Sequence, residues 1–377
     1  MTITLFIGSL KIGGAERQIT LLAKGLAKKG HKVNVVTIFP GGELEEELLS
    51  CPEITLSSLW SKRSKRMFVR IFQLILSPLI LRKHIKGSDV LYSMLETSNF
   101  IAWLATRWLK KPCLIWGIRS SKMEGHWKMA FFEKLCAIVS PTVNLVIANS
   151  NAGVKDMLAR GYKPKKYIVI HNGIDTERFR FDKKAREIFR AKIGVSSNQK
   201  LIGIVGRLDP MKDHYTFLQA AALVLQNLKN VKFLCVGDGP SHYAKKLKEL
   251  SKKLGIENKV IWLGAQKDMP TIYSALDLLV SSSSYGEGFP NVIGEAMACG
   301  VPCIVTDVGD SALIVGNMGI VVPPKDPQKL AQAIVSLLKG NINKTREAIR
   351  KRIVENFSLQ IFIDKTEKAL ISCIKKC

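Results

Sequence analysis

The sequence lacks the local patterns with which proteins usually bind metal ions. No two aspartates are separated by a single residue, and no histidines or cysteines cluster at ligand spacing. Cys299 and Cys303 are four positions apart, but Gly300 and Pro302 between them are typical of a helix end, and no second pair lies nearby. We therefore expect no metal site, and we expect the eight cysteines to be free buried thiols in a reducing compartment.

The pattern of a secretory signal and an apolar run long enough to cross a bilayer are not found either. Residues 1–8 lack the charged start, apolar run and cleavage site of a secretory signal, and they are predicted to form a core strand. Residues 71–81 are apolar but too short to span a bilayer, and Gln73, Ser77 and Pro78 interrupt them. With 377 residues, 47% of them hydrophobic, and no short-period repeat, the chain is expected to form two domains.

Acidic residues are scarce relative to basic ones. Lys and Arg number 57 against 31 Asp and Glu, so the formal net charge is +26, and the excess occurs in both halves of the chain. A field of this size attracts anionic surfaces or polyanions. Nucleic-acid binding is one interpretation, but no basic groove interleaved with aromatics and no known binding module is present. We therefore expect no nucleic acid among the partners.

Residues 61–86 concentrate this charge, with eight Lys and Arg and no acidic residue. A basic amphipathic segment of this kind lies on anionic membrane faces. The alternative is an ordinary core helix with solvated ends. Both interpretations stay open from the sequence, and the first predicts an anionic membrane surface as a partner.

The rest of the chain alternates short apolar strands with helical patterns, in two series. Strands are predicted at residues 3–7, 32–39, 90–92, 113–116, 145–148 and 167–170, and then at 201–205, 233–236, 260–263, 278–280 and 303–305. Such alternation is typical of parallel sheets covered by helices on both faces. We therefore predict two Rossmann-like, doubly wound α/β domains, residues 1–178 and 179–357, facing a cleft at the carboxyl ends of the strands.

Residues 281–302 are the most informative part of the sequence. They place Glu287 and Glu295 eight positions apart at a junction between a Gly-rich loop and a helix, with Pro290 in the predicted first turn and Asn291 as a capping residue. Free N–H groups and the dipole of such a helix start favour an anion. Carboxylates beside an anion site suit a ligand with phosphate at one end and hydroxyls at the other, such as a nucleotide sugar.

Two other segments follow strand ends. Arg207 and Lys212 are placed to neutralise a diphosphate. The alternative in a chain this basic is a pair of surface cations, but their position just beyond a strand end, at the edge of the predicted cleft, argues against it. Residues 8–14 have the outer glycine spacing of a phosphate-binding loop but lack its Lys and Ser or Thr, which excludes an ATPase. The pair Gly13 and Gly14 is then either a point of close approach to an anion or a simple turn.

Together these segments resemble the retaining glycosyltransferases of family 4, which have the GT-B fold. The resemblance covers nearly the whole chain. It rests on Gly13-Gly14-Ala15-Glu16, His171-Asn172-Gly173-Ile174-Asp175, Gly206-Arg207 with Lys212, and the stretch from Glu287 to Glu295. It implies a metal-independent enzyme without a cofactor, with a UDP-sugar as the expected donor. It also implies a final helix, within residues 358–377, that crosses back to the N-terminal domain.

The resemblance implies roles for individual residues. Arg207 and Lys212 would bind the donor diphosphate, and Glu287 would hydrogen-bond the transferred sugar; these three form the implied catalytic group. Glu295 would hold the ribose. The other implied donor-binding residues are Gly14, Gly264, Ala265, Gly288, Phe289, Asn291 and Val292.

The acceptor side departs from the family pattern. The family often has a histidine near the reacting sugar, whereas here Arg119 follows a predicted strand end and His126 lies nearby. Both are acceptor-side candidates, with a surface position as the alternative for each. Glu287 also has two interpretations: a covalent nucleophile, as in retaining glycosidases, or a positioning group while the departing phosphate helps to deprotonate the acceptor. The family resemblance favours the second.

We therefore predict a hexosyl- or N-acetylhexosaminyltransferase acting on a membrane-associated glycolipid, polyprenyl-linked or lipopolysaccharide acceptor. The expected setting is bacterial surface-polysaccharide assembly, with the chain cytoplasmic and peripheral on the inner face of the cytoplasmic membrane. The alternatives are a non-catalytic nucleotide-sugar-binding protein and a basic nucleic-acid-binding protein.

Overall fold

Two parallel β-sheets, each with helices on both faces, form the framework of the protein. They are described by a computed structural model of residues 1–119, 127–340 and 344–375. The chain divides into two compact units: unit 1 is Met1–Gly173 together with the segment from Leu359 onward, and unit 2 is Ile174–Ser358. These divisions lie close to the predicted boundaries at residues 178 and 357.

Unit 1 contains a seven-stranded parallel sheet. Its strands are β1 (Thr2–Ile7), β2 (Lys32–Thr37), β3 (Ile54–Ser58), β4 (Val90–Met94), β5 (Cys113–Ile118), β6 (Leu145–Ala148) and β7 (Tyr167–Val169). Its helices are α1 (Gly14–Lys28), α2 (Glu45–Leu49), α3 (Met67–His84), α4 (Glu96–Thr106), α5 (Trp127–Val139), α6 (Asn151–Ala159) and the last helix, α15 (Leu359–Ile374). The strand order is β3-β2-β1-β4-β5-β6-β7.

Both faces of this sheet are buried. Leu5 and Val35 point to one core, which α1, α2 and α15 cover, while the neighbouring Phe6 and Val36 point to a second core under α3, α4, α5 and α6. Successive strand residues face opposite sides, so a sheet covered twice needs an apolar residue at nearly every position. This is why the strands are continuous apolar runs in the sequence.

Unit 2 repeats the architecture with six parallel strands. These are β8 (Lys200–Val205), β9 (Val231–Val236), β10 (Val260–Gly264), β11 (Leu278–Ser281), β12 (Cys303–Thr306) and β13 (Ile320–Val322). The helices are α7 (Lys183–Lys192), α8 (His214–Asn227), α9 (Ser241–Lys253), α10 (Met269–Ala275), α11 (Asn291–Ala298), α12 (Ser311–Val315), α13 (Pro327–Leu338) and α14 (Arg346–Phe357). The strand order is β10-β9-β8-β11-β12-β13.

The sequence pattern did not predict β3 and β13, the outermost strands at one edge of each sheet. Only Ile54 is buried in β3, and β13 has three residues. A short strand that is half exposed lacks the continuous apolar run that identifies a central strand.

In the described part of the chain, no helix combines the length and apolar character that crossing a bilayer requires.

The prediction of free thiols was wrong for one pair of cysteines. Cys113, at the start of β5, and Cys373, in α15, form a disulfide. The two residues are 260 positions apart, so no local spacing indicates the pair. The free thiols among the described residues are the partly buried Cys51 and the buried Cys136, Cys235, Cys299 and Cys303.

A cluster of charges joins α7 to the sheet of unit 2. Asp277, just before β11, accepts hydrogen bonds from Arg186 at 2.7 Å, from Arg190 at 2.9 Å and from the backbone N–H of Leu201 at 2.7 Å. Burial by itself raises the pKa of Asp277, but the Leu201 amide and the two guanidinium groups outweigh it and lower the pKa. A lowered carboxyl pKa stabilises the folded state above the unfolded value of about 4, and this contribution is lost as the pH falls through the folded value.

We expect Asp277→Asn to lower the free energy of unfolding of unit 2 by about 2–4 kcal/mol at neutral pH, because it leaves two guanidinium groups without their carboxylate. Urea unfolding of the full chain at neutral and acid pH measures this. The difference from wild type should begin to narrow below about pH 4, where the Asp277 carboxyl of the unfolded chain becomes protonated, and it should disappear only below the lower pKa of the folded state. Asp307→Asn, an exposed aspartate of the same unit, is the control; an equal loss at both pH values would contradict the ion-pair account.

Candidate active site

The loops after β8 and β11 meet at the carboxyl edge of the unit 2 sheet. The two strands are neighbours, and the helices that follow them, α8 and α11, pack into different cores on opposite faces of the sheet. Loops that diverge from neighbouring strands leave a crevice between them, where open α/β sheets bind ligands. Residues 206–213 and 282–291 therefore share this crevice.

An ion pair connects the two loops. The Nζ of Lys212 lies 2.5 Å from Oε1 of Glu287, and the hydroxyl of Ser283 donates to the same oxygen at 2.7 Å. Only 16% of the Lys212 side chain and 8% of the Glu287 side chain are exposed. A charge removed from water is costly unless it is paired, so each of the two groups fixes the position of the other.

The serine run after β11 reinforces this connection. The hydroxyl of Ser282 donates to the carbonyls of Lys212 and Asp213, each at 3.1 Å. From the next strand, the hydroxyl of Thr306 donates to the carbonyl of Ser283 at 2.6 Å. Three neighbouring strand ends are thus held together by side-chain hydrogen bonds to backbone carbonyls, and the ion pair lies on a rigid support.

Arg207 differs from Lys212 in its surroundings. Its side chain is 72% exposed, and its guanidinium lies 2.9 Å from the carboxylate of Asp209. Asp209 also accepts a hydrogen bond from the backbone N–H of Lys212 at 3.3 Å, which shapes the turn between the two cations. An exposed pair of this kind is weak, so an incoming anion has access to the guanidinium. The site combines one buried, paired cation with one accessible cation.

The positive charge of the site comes from these two residues and not from the adjacent histidine. His214, the first residue of α8, is fully buried, and neither ring nitrogen has a hydrogen-bond partner among the described residues. Burial, and secondarily the charge of Lys212, lower the pKa of His214 to about 4. The imidazole is therefore neutral at physiological pH.

The N-terminus of α11 lies at the end of the β11 loop. Pro290 has extended backbone and is the N-cap, and Asn291 is the first helical residue, so the prediction of Asn291 as the capping residue was wrong. The ring of Phe289 is buried 5.4 Å from that of Phe357, so a ligand would meet Phe289 through its backbone. Gly288 accepts a backbone hydrogen bond from Asp310 at 2.9 Å. Val292 packs partly into the core beneath the helix.

Glu295 lies one turn into α11 and is held by a buried tyrosine. The hydroxyl of Tyr273, in α10, donates to Oε2 of Glu295 at 2.7 Å. Burial raises the pKa of Tyr273 well above its ordinary value, and the nearby Glu295 charge raises it further. The phenol therefore stays protonated and acts as the donor. Tyr273 fixes the direction in which the Glu295 carboxylate points.

The loops after β9 and β10 continue the same edge of the sheet. Asp238, after β9, accepts a hydrogen bond from the backbone N–H of Ala265 at 3.0 Å. Gly264 adopts a φ of +72°, and a Cβ there would lie 3.3 Å from the Asp238 carboxylate. Gly237 has a φ of +134°, and a Cβ on it would lie 2.0 Å from the carbonyl oxygen of Gly206. Glycine is therefore required where the β8 and β9 loops touch.

Two of the predicted residues lie in unit 1, and a third falls outside the described residues. Gly14 begins α1, immediately after the loop that follows β1. Arg119 follows β5, but its guanidinium is buried and donates to the hydroxyl of Tyr92 at 2.6 Å and to the side chain of Asn172 at 3.1 Å. Through these two contacts Arg119 connects β4, which contains Tyr92, to the loop after β7, which contains Asn172. The acceptor-side role of Arg119 stays a prediction. His126 lies outside the described residues.

The sequence did not single out three residues that shape this site: Ser283, Tyr273 and Asp238. Ser283 belongs to a run of four serines directly after a strand, which is the signal that would have found it. Tyr273 and Asp238 show no local signal, because their partners lie 22 and 27 positions further along the chain.

Comparison with known proteins identifies relatives of both units. Residues 12–178 match the family described as "Glycosyltransferase Family 4", and residues 199–340 match "Glycosyl transferases group 1". A D-inositol 3-phosphate glycosyltransferase of Corynebacterium urealyticum is 30% identical over 280 residues, which is 69% of this chain and 65% of that protein. An N-acetylgalactosamine-N,N'-diacetylbacillosaminyl-diphospho-undecaprenol 4-alpha-N-acetylgalactosaminyltransferase of Campylobacter jejuni is 27% identical over 358 residues, 92% of each chain.

A solved structure has the same fold. The crystal structure of Anabaena Alr3699/HepE in complex with UDP matches this chain with a TM-score of 0.84 and 23% identity, over 99% of this chain and 100% of the other. At this level of identity the likeness concerns the fold alone. With the two sheets described above, it confirms the prediction of two doubly wound, parallel-sheet α/β domains.

Removal of the hydroxyl in Tyr273→Phe tests how the Glu295 carboxylate is held. We expect a loss of about 1.5–3 kcal/mol in the free energy of unfolding, because a hydrogen bond to a charged group is lost inside the protein. Urea unfolding of the full chain measures it. Tyr243→Phe, the same chemical change in α9, is the matched control. Equal stabilities of the two variants would show that the Tyr273–Glu295 contact contributes nothing.

Proposed function

Because the chain belongs to the family-4 glycosyltransferases, which have the GT-B fold, we propose that it transfers a sugar from a nucleotide sugar to a lipid-linked saccharide, without a metal and with retained anomeric configuration. The predicted enzyme class, a glycosyltransferase, is confirmed by the family matches. The observation that supports the specific reaction is the joint position of Lys212, Glu287 and the start of α11 at neighbouring strand ends.

The donor in this proposal is a UDP-sugar. Arg207 and Lys212 contact its diphosphate together with the N-terminus of α11, and Glu295 contacts the ribose. The residues 264 and 265 face the base, and Glu287 and the backbone of residues 288–292 face the sugar. Support for the UDP part comes from the Anabaena protein of the same fold, which was solved with UDP bound.

The proposed chemistry is a displacement on one face of the sugar. The bond from the anomeric carbon to the diphosphate oxygen breaks, and a bond from the acceptor hydroxyl oxygen to that carbon forms. The acceptor proton moves to the departing diphosphate. Arg207 and Lys212 stabilise the negative charge that develops on the departing diphosphate. In another class of sugar transferases, a divalent metal ion stabilises this charge. Glu287, already held by Lys212 and Ser283, positions a sugar hydroxyl and forms no covalent bond.

The acceptor in this proposal is a saccharide on a membrane lipid, in surface-polysaccharide assembly. The Campylobacter jejuni relative is named for a diphospho-undecaprenol acceptor, and it aligns with this chain over 92% of its length. The basic residues 61–86 then hold the chain, as a peripheral protein, on the anionic inner face of the cytoplasmic membrane.

We expect Arg207→Ala and Glu287→Ala each to reduce transfer by at least about 100-fold, because each removes a charged contact made at the reacting centre. Transfer of radiolabelled sugar to lipid-linked acceptor, across a panel of nucleotide sugars, measures this. The controls are Arg180→Ala and Glu249→Ala, which remove exposed charges of unit 2. Wild-type turnover in both site variants would overturn the site, whereas donor binding without turnover by the wild type would favour a non-catalytic binder.

Chelation and product stereochemistry test the remaining parts of the proposal. Transfer should continue unchanged in excess EDTA, because fixed cations are proposed to stabilise the leaving group. The proton NMR coupling of the newly formed anomeric position should match the configuration of the donor. An inverted product, or activity that is lost with EDTA and restored by Mg²⁺ or Mn²⁺, would contradict the proposed mechanism.

A further inference from the structure

The outer face of α3 is apolar where a surface helix is normally polar. Phe68, Phe72, Ile75 and Leu79 are all exposed, with Phe68 at 82%. They lie four, three and four positions apart, which places them in one row along the helix. This row is called the α3 stripe below, and it extends about 16 Å at 1.5 Å per residue.

The opposite face of the same helix is buried, and it carries two polar residues, Gln73 and Ser77, beside the apolar Leu81. The amide of Gln73 donates to the carbonyl of Lys62 at 3.0 Å and accepts from the backbone N–H of Ser64 at 3.3 Å. The hydroxyl of Ser77 accepts from the indole N–H of Trp60 at 3.0 Å. Gln73 and Ser77, which interrupt the apolar run in the sequence, therefore face the protein and hold residues 60–64 against the helix. The apolar stripe is left outside by these contacts.

Basic residues surround the beginning of the stripe. Lys62, Arg63, Lys65 and Arg66 are all exposed in the segment that leads into α3. No acidic residue occurs anywhere in residues 61–86. The surface thus joins a row of large apolar side chains to a cluster of cations with no counter-charge in the segment.

A tryptophan from another element lies at the far end of the stripe. Arg82 is three positions beyond Leu79, and its guanidinium lies 5.5 Å from the ring centroid of Trp108, which follows α4. Arg107 lies 5.2 Å from the same ring. Trp108 is nevertheless 72% exposed, and Leu109 beside it is exposed as well. Tryptophan with flanking arginines is the pattern of a side chain at a membrane–water interface.

We propose that the α3 stripe and Trp108 insert together into the headgroup–acyl boundary of an anionic bilayer, while the surrounding cations contact lipid phosphates. This deepens the proposed function and rests on it for the position of the lipid-linked acceptor. The sequence predicted a basic amphipathic segment on an anionic membrane face, and the proposal adds which side chains insert. Here apolar insertion supplies part of the binding, so that part survives salt.

A lipid surface fits this face better than a second copy of the chain. In a symmetric dimer the same patch meets itself, so the basic segment 61–86 of one copy would lie against a segment that is equally basic and again contains no acidic residue. An anionic bilayer offers the complementary charge beside an apolar interior. The charge pattern therefore selects the bilayer as the occupant.

Vesicle flotation of the full-length protein tests the proposal. The vesicles contain phosphatidylglycerol and phosphatidylethanolamine. Flotation is measured at about 0.05 M NaCl, where charge attraction is strong, and at about 0.5 M NaCl, where it is largely screened. Wild type should float at both. The double variant Phe72→Ser/Ile75→Ser should lose at least about tenfold in partitioning at the higher salt, because it removes two inserted side chains. Trp108→Ala should also partition less.

The matched control is Ile188→Ser, which removes an exposed apolar side chain of unit 2. It should float as wild type does. A Lys62→Gln/Arg63→Gln/Lys65→Gln/Arg66→Gln variant should lose binding mainly at the lower salt. Partitioning of Phe72→Ser/Ile75→Ser equal to wild type would overturn the proposal. Light scattering provides a second test. If the wild type is a dimer that Phe72→Ser/Ile75→Ser dissociates, and the wild type does not float with vesicles, the face binds a second copy of the chain and the proposal is overturned.

Activity measurements separate this inference from the proposed function. The double variant should transfer sugar normally to a short water-soluble acceptor, and poorly to the lipid-linked acceptor in vesicles. If wild type transfers sugar to neither acceptor but still floats through the stripe, the proposed function fails and the membrane surface stands. If transfer proceeds equally with and without the stripe, the proposed function stands and the insertion fails.

Discussion

The contact between Lys212 and Glu287 is the constraint on which the candidate site depends. Their loops follow neighbouring strands whose helices pack on opposite faces of the sheet, so the backbone alone would let the loops separate. Because both charges are buried, separating them would break a buried ion pair at a cost of several kcal/mol. Ser283 and Ser282 add hydrogen bonds in the same place. The ion pair thereby turns a topological crevice into a site of defined width.

The charged groups of the site also differ in their partners and in their exposure. The Lys212 charge is compensated by Glu287, while Arg207 remains accessible and is only weakly paired with Asp209. Glu295 is directed by Tyr273 from a second helix. Two carboxylates that look alike in the sequence thus have different partners, a cation for one and a phenol for the other. This difference supports separate contacts with the two ends of a nucleotide sugar.

Most of the fold could be predicted from the sequence, because both sheets are buried on both faces and their central strands are continuous apolar runs. The edge strands β3 and β13 could not, since an edge is short or half exposed. The glutamates, Arg207 and Lys212 were identified by motif, and their placement at adjacent strand ends follows from the strand order. Tyr273, Asp238 and the Cys113–Cys373 disulfide were not predicted, because each contact joins residues far apart in the chain.

The α3 helix shows most clearly which properties follow from the sequence and which follow only from the tertiary structure. The sequence by itself determined that residues 61–86 are basic, apolar at their centre and interrupted by polar residues, and it determined the alternation that makes an α/β protein. Only the tertiary structure decided that Gln73 and Ser77 face inward and that Phe68, Phe72, Ile75 and Leu79 face outward. The periodicity of the sequence defines the two faces of a helix. Which face is buried depends on the hydrogen-bonding groups that the rest of the fold places beside it.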